Sequence, residues 1–386
     1  SGNTKVSIET FYVDSTHPET TKTYGEPTKV ENSYRWITSS TPITLTAVDE
    51  KVGVDYIKYR YCLSSGCYEE CDCDCEDTDW TTVYDDSVTF TIPEESKHCI
   101  EYYSVDKLGN EEEIHSQCVY VDNTPPESYK EHEGPLVEGD GFDWVSQETD
   151  IYLWCEDQGD HPVDQETICY KVSLENEEME YLTEDYCEEF GGEMIDGWCC
   201  EYVGEEDYWL HFLEDSEHNL EYYCLDYLGN VETPEIQWYK VDSAPPIIEK
   251  EIIGPQYGDC PPTDGECYVD GETEIHLSVY DPEPHSVNDA WCEWELYLDS
   301  ELIDNGYFEE GDTEIIVFEE ESEHELYIYC EDALGNSVED TEVFLVDKTP
   351  PHTTKTYGEP YYTDNISEWI TSSTPVSYTH LTLPTN

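Results

Sequence analysis

The sequence predicts an all-β chain organised as a tandem array of β-sandwich repeats. Three observations predict it. A Leu-Gly-Asn tripeptide recurs at Leu108-Gly109-Asn110, Leu228-Gly229-Asn230 and Leu334-Gly335-Asn336, a period of about 105 to 120 residues, the size of one sandwich domain. Between these marks apolar residues alternate with polar ones at period two, and no helical periodicity appears. Each tripeptide is followed by a Val-Asp pair and a short linker ending in Pro: Val121-Asp122 to Pro126, Val241-Asp242 to Pro246 and Val346-Asp347 to Pro351.

Other marks fall in register. Gly2-Asn3 and Val13-Asp14 to Pro18 read as the end of an earlier copy. Thr21 to Pro27 returns as Thr354 to Pro360, and Trp36-Ile37-Thr38-Ser39-Ser40-Thr41-Pro42 returns as Trp369 to Pro375, with Trp144-Val145-Ser146 a looser version. The expected organisation is the C-terminal end of a truncated repeat (1–16), repeats at 17–124, 125–244 (with a Cys-rich insertion) and 245–349, and the start of a further repeat (350–375). The copies diverge after Pro375. Residues 376–386 resemble the conceptual translation of a transposon-derived sequencing adapter and are expected to be non-biological.

Composition narrows the function classes. Fifteen Lys and Arg stand against 94 Asp and Glu, a formal charge of −79, which repels nucleic acid and anionic lipid and attracts cations. Nucleic acid is excluded as a partner. With 33 Tyr, 10 Trp and 17 Cys, the acidity belongs to folded domains and not to a disordered tail. No apolar stretch approaches the roughly 18 residues that span a bilayer, so no membrane insertion is expected. Seventeen cysteines point to disulfides and an oxidising, extracellular or cell-surface location. No signal peptide or anchor is visible, and a chain that starts at Ser1 without Met is expected to lack its true N-terminus.

The strands can be phased. Ile43, Leu45 and Ala47 match Ile151, Leu153 and Cys155, then Ile275, Leu277 and Val279, as one inward-facing strand. Ile100, Tyr102 and Ser104 match Leu220, Tyr222 and Cys224, then Leu326, Ile328 and Cys330, as the penultimate strand. The Leu-Gly-Asn turn then closes a hairpin, with Gly and Asn expected at positive φ. This phase puts Cys155 and Cys224 on the core face of opposite sheets, where a bridge gives an immunoglobulin-like sandwich. Closing such a loop is worth roughly 4 kcal/mol in the chain-entropy model. Cys99 and Cys118, symmetric about the first turn, are expected to be cross-strand partners. Cys260 with Cys267 closes a small loop, and Cys292 with Cys330 is a candidate strand-to-strand pair.

At this point a resemblance can be stated. Thr46-Ala47-Val48-Asp49, Val52-Gly53-Val54, Tyr59-Arg60-Tyr61, Trp80, His98 to Tyr102, Asp106 to Asn110 and the Pro-rich Val-Asp linker resemble bacterial and archaeal Ig-like tandem surface repeats. The first repeat fits best. The resemblance implies surface exposure, adhesion or spacing, and no chemistry.

Three constellations are candidate sites. Cys71-Asp72-Cys73-Asp74-Cys75, with Cys62 and Cys67 upstream, reads either as a disulfide-stapled loop or as a soft-metal site; the surrounding acids oppose the thiolates that a metal needs. The second repeat has a comparable insertion holding Cys187, Cys199 and Cys200. Asp106 with Asn110, Asp226 with Asn230 and Asp332 with Asn336 recur beside linker acids Asp122, Asp242 and Asp347. They could clamp Ca²⁺ at each junction, or merely hydrogen-bond their own turns. Finally, His98, His218 and His324 each follow Ser96, Ser216 or Ser322 by two residues. A Ser–His pair can serve nucleophilic catalysis, but repetition at one position of every domain assigns these to the start of a strand. No catalytic site and no organic cofactor is expected, with calcium as a candidate ion.

The leading reading is a structural stalk or adhesin facing an unidentified surface ligand or neighbouring envelope protein. The alternatives are non-catalytic spacer modules of a secreted enzyme, or a cation-binding, salt-adapted envelope component. Asn365-Ile366-Ser367 is a lone glycosylation sequon.

Overall fold

In the first repeat the alternating segments become nine strands: β1 (Glu19–Tyr24), β2 (Thr28–Glu31), β3 (Tyr34–Ile37), β4 (Ile43–Val48), β5 (Val54–Leu63), β6 (Thr81–Val83), β7 (Ser87–Phe90), β8 (Ser96–Asp106) and β9 (His115–Val121). The computed structural model describes residues 4–30, 34–64, 75–159, 163, 166–174, 187, 192–202, 209–263 and 265–379, with 31, 177–180 and 380–381 as backbone. The strands form two sheets, ordered β1-β4-β7 and β2-β3-β9-β8-β5-β6. Pairing is antiparallel except that β3 runs parallel to β9. Ile37, Ile43, Leu45, Ile57, Ile92, Ile100, Val119 and Val121 fill the space between them, fully buried.

The chain divides into two compact units. One comprises Ser1–Glu133, Asp150–His211 and His218–Trp238, the other Gly134–Thr149, Phe212–Glu217 and Tyr239–Asn386. The second unit contains a sandwich of the same plan at 245–349. Its small sheet joins Ile247–Ile253, Glu274–Tyr280 and Glu314–Val317, and its larger sheet repeats the order of the first repeat over six strands. The chain is thus all-β, with tandem Ig-like sandwich repeats. The phase read from the sequence holds: Ile151, Leu153 and Cys155, Ile275, Leu277 and Val279, and Leu220, Tyr222 and Cys224 are all buried.

Two devices explain why the motifs recur. The Thr that ends the Trp-Ile-Thr-Ser-Ser-Thr run is a buckle: Thr41 Oγ1 donates to the Pro27 carbonyl (2.6 Å) and accepts from the Thr38 amide (3.0 Å). Thr149, Thr273 and Thr374 make the same pair of bonds to Pro135 and Ser146, Pro255 and Asp270, and Pro360 and Thr371. The second device is a carboxylate pin. Glu112 accepts from the Thr20 amide and hydroxyl and from the Ser104 amide and hydroxyl, tying β1 to β8 across the sandwich. Burial alone would raise its pKa, but these donors hold it below the usual value. Glu232 does likewise for Ser128 and Cys224, whereas in the third repeat the apolar Val338 and Ile248 pack against the core instead.

The Leu-Gly-Asn turn differs from expectation in one respect. Gly109, Gly229 and Gly335 have φ of +87°, +83° and +86°, but the asparagines do not adopt positive φ. Asn earns its place through its side chain, described below. In the terminal segment, strand Val376–Leu381 pairs with His352–Tyr357, and Val376 stands opposite Tyr357 as Ile43 stands opposite Tyr24. Residues 376–381, expected to be foreign, therefore take the place of β4.

Thr273 is fully buried, so Thr273→Val leaves the Pro255 carbonyl and the Asp270 amide without their partner. We expect a loss of about 1–3 kcal/mol, read as a lower urea midpoint with an unchanged slope.

Candidate metal centre

Three aspartates converge at each of three places: Asp14, Asp49 and Asp106; Asp122, Asp157 and Asp226; Asp242, Asp281 and Asp332. In every group one carboxylate oxygen from each residue lies within 4.8 Å of the others. Calcium binds oxygen at about 2.3–2.6 Å, so ligands of a common ion cannot be farther apart than roughly twice that. The spacing fits.

Each aspartate is delivered by a fixed element. The linker Asp prolongs the parallel pairing at the end of the last strand: the Asp122 amide donates to Ile37 O (2.9 Å) and the Asp242 amide to Val145 O (3.0 Å). The second, Asp49, Asp157 or Asp281, immediately follows the inward-phased strand. Asp49 Oδ1 accepts the amides of Lys51, Val52 and Gly53, which folds the loop around it. The third opens the Leu-Gly-Asn turn. Asp332 Oδ1 accepts from the amides of Leu334 (2.8 Å) and Asn336 (2.9 Å), and its Oδ2 from Asn336 Nδ2 (2.8 Å).

The structure adds to the sequence reading in two ways. The side-chain amides of Asn110, Asn230 and Asn336 donate to Asp106, Asp226 and Asp332. Asn230 and Asn336 also donate to the backbone carbonyls of the linker residues Asp122 and Asp242, both at 3.2 Å. They position carboxylates and linker together. The group members that sequence reasoning missed are Asp49, Asp157 and Asp281; their recurrence immediately after the alternating strand was the signal. Asp347 keeps the linker geometry, donating to Val269 O (2.9 Å), but joins no group among the described residues.

The groups at Asp122 and Asp242 are electrostatically unfavourable as they stand. Asp122 is 1% exposed and Asp242 3%. Oδ1 of each accepts one amide, from Thr124 or Ala244, while Oδ2 is buried with no hydrogen-bond partner. Asp281 Oδ1 is likewise unpartnered. Burial, then the neighbouring Asp157, pushes Asp122 up to about 7. Burial, with the adjacent Asp281 and Asp332 adding to it, pushes Asp242 up to about 7. Burial also raises Asp157, Asp226 and Asp281. A dication placed among these oxygens reverses the sign of every one of these interactions.

The described cysteines are oxidised. Cys155–Cys224, Cys260–Cys267 and Cys292–Cys330 form as expected. Cys62 bonds Cys75, 13 residues on, so Cys75 is not a thiolate ligand; Cys67, Cys71 and Cys73 lie outside the described residues. Cys169–Cys200 and Cys187–Cys199 staple the second repeat's insertion. Cys99 and Cys118 are register partners on β8 and β9. Both are disulfide-bonded, although no bridge joining them to each other is described. His98, His218 and His324 are buried at the start of their strands. His98 Nε2 bonds the Glu94 carbonyl, not Ser96, and burial lowers the pKa of His98 and His324.

No protein-family profile and no curated protein matches the chain. Among solved structures it is similar to the FN1–FN3 domains of chicken CNTN1, at 9% identity over 81% of this chain and 96% of that one, with a TM-score of 0.25. It is also similar to the fibronectin(III)-like modules of Clostridium thermocellum CbhA, at 15% identity over 57% and 94%, with a TM-score of 0.27. Among the described residues no helix is long and apolar enough to cross a membrane.

Carboxyls raised to about 7 when folded, against about 3.9 unfolded, bind more protons in the folded state between those values. Their contribution to stability is therefore greatest at low pH, falls as pH rises through that window and is flat above it. In EDTA, Asp242→Asn should raise stability at pH 8, by on the order of 2–4 kcal/mol, and flatten the loss between pH 4 and 7. Urea titrations at stepped pH check this.

Proposed function

We propose that this chain is a non-catalytic spacer, part of a secreted or cell-surface stalk or adhesin, whose linkers are fixed by calcium. The observation that carries the reading is the recurrence, at successive linkers, of one linker carboxylate and two carboxylates of the following repeat. At Asp122 and Asp242 that linker carboxylate is buried with an oxygen that no protein donor satisfies. An ion there ties each linker to the base of the next repeat, which restricts bending where a Pro-containing linker would otherwise swivel. Disulfide chemistry throughout the chain supports an oxidising compartment. All-carboxylate donors favour a hard cation over a thiophilic one.

Thermal unfolding of the metal-stripped full chain tests this, in EDTA or millimolar Ca²⁺, each at low and high NaCl. Calcium that binds only the folded state stabilises it by about 1.4 kcal/mol at ten times Kd. The expected result is a rise in Tm with Ca²⁺ that NaCl does not reproduce. An equal rise with NaCl alone would mean that screening of the −79 charge, as in a salt-adapted envelope protein, is the whole effect.

A further inference from the structure

The three aspartate groups share a plan but not a charge. Two residues after Asp49, Asp157 and Asp281 stand Lys51, Gly159 and Glu283. Lys51 Nζ reaches Asp14 Oδ1 at 3.1 Å and the Thr16 hydroxyl at 3.5 Å. Asp14 Oδ1 also accepts from the Thr16 hydroxyl (2.6 Å) and amide (3.0 Å). Those Thr16 bonds, and then the Lys51 ammonium, draw Asp14 down to about 2, the opposite direction from Asp122 and Asp242. Neither later group has a lysine or arginine ion pair on its linker aspartate among the described residues.

We infer that the first aspartate group is neutralised in part by Lys51, and that the three linkers therefore differ in calcium affinity, the first being the weakest. This rests on the calcium reading above and adds a built-in difference between its sites. The physical argument is competition. A dication entering among Asp14, Asp49 and Asp106 meets a positive charge a few ångströms away, a repulsion of about tenfold in affinity even in water-like surroundings. It also gains less, because Asp14 Oδ1 is already served by three donors where Oδ1 of Asp122 and Asp242 each has one, the Oδ2 of all three being buried without a partner. Lys51 is half-exposed on a flexible stem, so it competes with the ion and does not bar it. On calcium depletion the first linker would empty before the other two, yet keep an ammonium bridge in place of the metal.

Isothermal titration of the metal-stripped full chain with calcium tests the inference, comparing wild type, Lys51→Met and the double variant Lys51→Met/Asp49→Asn. Wild type should show two tighter sites and one weaker by about tenfold. Lys51→Met should tighten the weak site into the range of the others, and adding Asp49→Asn should abolish it. Three equivalent sites in wild type, or a Lys51→Met titration identical to wild type, overturns the inference while the calcium reading stands. An absence of calcium binding in all three proteins overturns both. Because Lys51 lies on the surface, matched unfolding curves in EDTA are expected to show that Lys51→Met folds normally.

Discussion

Three carboxylates brought within 4.8 Å of one another and largely removed from water set the terms for the junctions of this array. At about 4 Å each like-charged pair repels by roughly 1 kcal/mol in water and about 4 kcal/mol at the effective dielectric near a protein surface. Two of the three are held there by their own loops: in the last group Asp332 accepts two backbone amides and the Asn336 side-chain amide, and Asp281 accepts the Val287 amide. At Asp122 and Asp242 the linker carboxylate accepts a single amide, and its free oxygen makes it the member whose position depends on what fills the group. Repulsion left unanswered would act on the linker first.

The sandwiches themselves do not depend on that answer, because each secures its two sheets by its own chemistry. In the first repeat Ala47 and Ser104 hold the positions of Cys155 and Cys224, and Glu112 with its four donors supplies the cross-sheet tie. The second repeat has both the Cys155–Cys224 bridge and the Glu232 pin. In the third, Cys292 and Cys330 are neighbours within one sheet, so the bridge staples a strand pair and the sheets are joined by packing of Ile275, Leu277, Trp294 and Phe344. What all the repeats share is the Thr–Pro buckle and the aspartate turn, both at the ends of the sandwich, where consecutive repeats are connected.

The parts that sequence revealed are those with short-range periodicity. Strand phase follows from period-two alternation, so Cys155 and Cys224 could be placed on the core face and paired without coordinates. Ile43, Leu45 and Ala47 are legible for the same reason. The metal group was only half legible. Asp226 announces itself in a turn motif and Asp122 in a linker motif, but Asp157 is nearly 70 residues from the turn and follows an ordinary strand. Only its recurrence after the same strand in each repeat separates it from dozens of other acids. Its role comes from the sandwich topology, which places the end of that strand beside the turn and the incoming linker. Asn is both a turn residue and an oxygen ligand, and the structure shows its side-chain amide serving the turn aspartate. Cys62–Cys75 was hidden by an excess of nearby cysteines.

High net charge and a specific ion site are different properties, and this chain separates them by length scale. Most of its acids are exposed and interact over distances comparable with the Debye length, about 10 Å at 0.1 M salt. Any cation cloud relieves that repulsion, and sodium serves as well as calcium. Within an aspartate group the oxygens are closer together than any screening cloud can reach, and at Asp122 and Asp242 the carboxylates are enclosed. There only a bare ion of the right radius, or a proton, can intervene. Lys51 is informative because it is a third kind of answer, a charge carried by the chain itself. Where Gly159 or Glu283 stands instead, no lysine or arginine pairs with the linker aspartate among the described residues.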